Sequence, residues 1–108
     1  MNIDKATIDR LTTFVRKEYE KFFSEYEKEL NNDEIIVKFV HFACGQGKSE
    51  DVEHIPIKTL QEMSSRFCTL RDRTIALSMA LNVDVIELMS GMIKSLVGQI
   101  GDEAVEKQ

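Results

Sequence analysis

One proline and five glycines in 108 residues are too few breakers to divide the chain into short strands and turns, and that scarcity favours long helices. Cysteine is equally sparse. Two residues, Cys44 and Cys68, cannot build a disulfide scaffold, so in a reducing compartment each is by default a small buried apolar side chain. No apolar run approaches the roughly 18 residues that cross a bilayer, and the amino terminus shows no charged-then-apolar leader with a small-residue cleavage site. A cytoplasmic protein with no membrane partner is expected. Positive charge is also short, with 14 Lys and Arg against 19 Asp and Glu and a net charge of −5. This disfavours broad, sequence-blind binding to nucleic acid or anionic lipid, while leaving room for a local basic face.

What the chain does have is helical periodicity. Leu60, Met63, Phe67, Leu70, Thr74, Leu77 and Leu81 recur at alternating steps of three and four, the spacing that turns one narrow stripe of a helix toward a partner. One position of this seam, Thr74, is polar. Thr59 and Glu62 form a capping box ahead of it, so a helix is expected over about 59–82.

The first helix is announced by Asp4 as N-cap, with Ile3 and Ile8 as a hydrophobic staple. Ile8, Leu11, Val15, Tyr19, Phe22, Tyr26 and Leu30 continue on one face, which predicts a helix over about 4–30. Such a helix would be about 40 Å long, whereas a globule of this size is roughly 34 Å across. Either it kinks, or its end projects and is covered by another chain. Phe14 lies off its apolar stripe and Phe23 at the margin, so this helix is expected to be covered from more than one side.

A second helix over about 32–44 starts at Asn31, with Glu34 completing a capping box, and stops at Gly45. Its β-branched and aromatic residues also fit a buried strand, with 52–57 as hairpin partner. A fourth helix over about 84–100 opens at Asp84 and carries Ile86, Met89, Ile93, Leu96 and Ile100, flanked by Val85, Leu88, Met92 and Val97. Gly91, Ser95 and Gly98 form a line of small residues that would admit another backbone closely, by analogy with membrane helices. Residues 101–108 are polar and expected to fray. The expected fold is all-α, a single four-helix bundle-like domain with long first and third helices; the alternative is α+β with a small hairpin at 35–57.

Three motifs bear on chemistry. Phe42 to Ser49 ends like a phosphate-binding loop, but that motif needs a glycine where Phe42 stands and a parallel-sheet context as well. A loop closing helix two is the better account. His41, Cys44, His54 and Cys68 supply four N/S donors, enough for tetrahedral zinc, although the second pair is spread too widely for a usual structural site. Arg66, Arg71 and Arg73 make the one locally basic helix, which would either lie along nucleic-acid phosphates or pair with the acidic flank of helix one.

Residues Ala80 to Leu88 resemble the last helix-to-helix connection of phage-repressor-type helix-turn-helix domains. The similarity covers about nine residues and amounts to a staple and a cap. The preceding residues lack that family's small-residue turn, so no DNA-contact position carries over.

The functional expectation is a small acidic regulatory or adaptor protein, of bacterial or phage type, acting by protein-protein interaction. It is expected to self-associate as a homodimer through Phe14, Phe23, Val85, Leu88, Met92 and Ser95. The alternatives are a DNA-binding regulator using Arg66, Arg71 and Arg73, and a zinc-dependent module. No nucleophile-base-orienter set points to an enzyme, and no cofactor is expected.

Overall fold

The computed structural model describes residues 4–89, which form four α-helices and no strands: α1 (Lys5–Glu25), α2 (Asp33–Ala43), α3 (Ile57–Leu81) and a short α4 (Val85–Leu88). A single 3-10 turn, Ser49–Val52, lies between α2 and α3. The described residues are all-α, and no hairpin forms over 35–57. Of the expected fourth helix only the first turn is described. Met92, Ser95, the Gly91–Ser95–Gly98 line and the tail 101–108 lie outside the described residues.

Each helix begins and ends for a local reason, and several boundaries differ from the sequence expectation. The carboxylate of Asp4 accepts the Thr7 amide at 2.8 Å and caps α1 as foreseen. In α2 the cap is Asn32, one residue later than expected, accepting the Ile35 amide at 3.0 Å. Pro56, with φ fixed at −56°, opens α3 at Ile57 without a side-chain cap. The Leu60 amide already bonds to the Pro56 carbonyl at 2.8 Å, so Thr59 sits inside the helix and does not cap it. Asn82 closes α3 in the left-handed region, φ 53°, a conformation asparagine tolerates better than most residues. Asp84 then caps α4 through the Ile86 amide at 2.9 Å.

The largest correction concerns α1. It stops at Glu25, five residues short of the expected Leu30, although nothing between Tyr26 and Leu30 breaks a helix. Glu29 and Leu30 amides both turn back to the Tyr26 carbonyl, and this turn tucks Tyr26 and Leu30 into the core, 7% and 4% exposed. At 21 residues α1 is about 31 Å long, well within the molecule's long dimension of 45 Å. At that length α1 no longer outruns a globule roughly 34 Å across, and its length gives no reason to expect a dimer.

The core joins three helices through a triangle of rings. Phe22 of α1, Phe39 of α2 and Phe67 of α3 lie with centroids 5.8–6.1 Å apart, and Phe39 and Phe67 are fully buried. The seam of α3 faces inward: Met63, Phe67 and Thr74 are buried, and Leu60, Leu70 and Leu77 pack partly buried against the same cluster. Val85, Leu88 and Met89 are also buried, at 5%, 0% and 0% exposure.

Candidate functional site

The α1 and α3 helices run antiparallel, so residue numbers rise along one as they fall along the other. Glu25 of α1 meets Arg66 of α3, Tyr19 meets Thr74, and Phe14 and Val15 lie beside Leu77. Between them two hollows adjoin. The larger, about 270 Å³, is bordered by Lys21, Phe22, Ser65, Arg66, Thr69 and Arg73. The smaller, about 90 Å³, is apolar in its lining, with Phe14, Val15, Leu70 and Leu77 around it. Glu18, Leu70 and Arg73 border both hollows, so together they form one groove with a cationic end and an apolar end.

At the cationic end Arg66 does two jobs. Its Nη1 lies 2.6 Å from the Glu25 carboxylate and donates to the Tyr26 hydroxyl at 2.9 Å. The guanidinium also sits over the Tyr26 and Phe22 rings, 5.3 and 5.9 Å from their centroids, in cation-π range. The hydrogen bond from Arg66 holds the Glu25 carboxyl below its ordinary pKa, and the same bond, with that to Tyr26, raises the Arg66 pKa. This arginine fastens the end of α1 to α3. Arg73 makes no ion pair among the described residues and is exposed at the junction of the two hollows.

The expected three-arginine face is not a face. Seven residues separate Arg66 from Arg73, which leaves them about 20° apart round the helix, whereas the five from Arg66 to Arg71 turn it by about 140°. Arg71 points toward the end of α2, its side chain 13% exposed, with Nη1 3.5 Å from the Cys44 sulfur and Nη2 3.2 Å from the Asp72 carboxylate. For Arg66, pairing with the acidic flank of helix one holds.

The His and Cys residues are not assembled into a site. His54 Nε2 is 3.0 Å from the Glu29 carbonyl, and the Cys68 thiol donates to the Ala43 carbonyl at 3.6 Å. Among the described residues no three His, Cys, Asp or Glu side chains converge as a metal site would require. The loop after α2 likewise turns its amides inward. Gly45 donates to Phe42, and Gln46 and Gly47 both donate to His41, satisfying the last carbonyls of the helix. Amides so occupied cannot cradle a phosphate.

Of the residues expected at an interface, Phe14 is 60% exposed at the apolar end of the groove. Phe23 is partly buried, its ring 5.5 Å from Phe22 and 6.5 Å from Tyr19. Val85 and Leu88 belong to the interior and present no surface to a partner. Sequence reasoning did not single out Lys21, Leu70 or Leu77 as surface-site residues, because only the antiparallel register of α1 and α3 sets α1 against the α3 stripe that carries the two leucines. No family model matches the chain, and no curated protein or solved structure is significantly similar to it.

Proposed function

We propose that this chain is a small helical regulatory or adaptor protein that acts by binding another polypeptide along the α1/α3 groove, with self-association as a dimer one form of that interaction. The observation that carries it is Phe14, a large apolar ring 60% exposed at the lip of an apolar hollow. A ring in that position gains by being covered. The duplex-DNA alternative has weaker support, since Arg71 lies away from Arg66 and Arg66 is already engaged by Glu25.

Sedimentation equilibrium between about 1 and 100 µM tests the self-association. The expected result is a mass rising toward twice that of one chain, with Phe14→Ser shifting the curve back toward one. A single-chain mass throughout removes the dimer and leaves the groove to a different polypeptide. For the DNA alternative, absence of duplex binding even at low salt is expected, because a binder resting on phosphate contacts tightens steeply as salt falls.

A further inference from the structure

We infer that the α1/α3 groove takes a helical segment of a partner protein that presents an acidic side chain one turn away from a large apolar one. This rests on the polypeptide-binding reading above and specifies the partner's chemistry.

Charge is the first support. Lys21, Arg66 and Arg73 border the larger hollow against a single carboxylate, Glu18. Even after Glu25 is counted against Arg66, the sum there stays positive, on a chain whose net charge is −5. A carboxylate approaching this end meets the exposed guanidinium of Arg73, which can hold it with two parallel hydrogen bonds. The Ser65 and Thr69 side chains beside it are polar and uncharged, and so offer no repulsion.

Spacing is the second support. Along α1 the borders shift from Phe14, Val15 and Glu18 at the apolar end to Glu18, Lys21 and Phe22 at the cationic end. Along α3 they shift from Leu77 and Thr74 to Arg66 and Ser65, through the shared Leu70 and Arg73. An offset of about four residues at 1.5 Å each places the two hollows about 6 Å apart, the rise between residues i and i+4 of a helix. One helical face therefore reaches both, with the apolar side chain against Phe14 and Leu77 and the acid beside Arg73.

Selection from a displayed library of alanine-rich helical peptides of about 16 residues, randomised at two positions four apart, tests this against the full chain. The expected outcome is enrichment of Asp or Glu at one position with Leu, Phe or Met at the other. Affinity of the selected peptide should fall at least about tenfold with Arg73→Glu, whose melting curve should match the wild type because Arg73 is exposed. Replacing the peptide's acid with Lys should restore binding to that variant, and added salt should weaken the wild-type complex. Apolar peptides enriched without an acid, or an affinity indifferent to Arg73→Glu, overturn the inference while leaving the polypeptide-binding reading intact, provided Phe14→Ser abolishes them. Failure to retain any peptide that depends on Phe14 overturns the inference, and together with a single-chain mass in sedimentation it overturns the polypeptide-binding reading as well.

Discussion

The Tyr19 hydroxyl lies 3.0 Å from that of Thr74, both side chains buried where α1 crosses α3. Thr74 donates its own proton to the Leu70 carbonyl at 2.9 Å, so Tyr19 is the donor in the pair. Burial raises the tyrosine pKa well above its ordinary value, the bond to Thr74 opposing this only in part, and the phenol stays protonated. The single polar position in the α3 seam is thus matched by the single polar atom that α1 sends into the core beside it.

The two halves of that pair should respond unequally to removal. Thr74→Val leaves the Tyr19 hydroxyl buried without an acceptor and should cost about 1–3 kcal/mol, whereas Tyr19→Phe leaves Thr74 its bond to Leu70 and should cost about 0.5–1.5 kcal/mol. The double variant should be less damaged than the sum of the two. Urea unfolding of all four proteins measures the cycle.

Acid should undo the Arg66–Glu25 clamp. Because the folded state holds Glu25 below its usual pKa, the carboxylate adds stability above about pH 4.3, its unfolded value, and this is lost as pH falls through the folded one. Wild type should therefore melt above Glu25→Gln at pH 7, with the difference closing at more acid pH. Thermal melts across that range check it, and in an Arg66→Met background the Glu25→Gln substitution should open a much smaller gap, since Lys21 is then the cation left acting on the carboxylate.

Gly47 should be the least replaceable residue of the loop after α2. A Cβ there would lie 2.7 Å from the Phe42 amide nitrogen and 2.9 Å from its Cα, backbone atoms that cannot step aside. Gly47→Ala should cost about 1–3 kcal/mol as an overpacked site. Gly45, at φ 80° with open space around it, should cost about 1–2 kcal/mol as alanine from backbone strain alone. Denaturant midpoints separate the two.

Two phenylalanines, one on the α3 seam and one off the apolar stripe of α1, should behave in opposite ways. Phe67→Ala removes a fully buried ring from the Phe22–Phe39–Phe67 triangle and should cost about 3–5 kcal/mol. Phe14→Ser alters an exposed position and should stay within about 0.5 kcal/mol in the monomer, its effect appearing in association. Calorimetry at low protein concentration distinguishes them.

Local chemistry set much of this molecule from the sequence. The caps at Asp4 and Asp84, the stop at Asn82 and the inward seam of Met63, Phe67 and Thr74 each depend on neighbours within a few residues, where spacing and side-chain type suffice. Tertiary contact decided the rest. The end of α1 at Glu25 has no signal in the residues that follow, because it is fixed by Arg66, forty positions from Tyr26, and by the burial of Tyr26 and Leu30. Periodicity likewise names an apolar stripe without naming what covers it. Val85 and Leu88 therefore looked available to a partner and proved to be core, whereas Lys21 came to border one hollow with Arg73, and Phe14 another with Leu77, only when two antiparallel helices fixed their register.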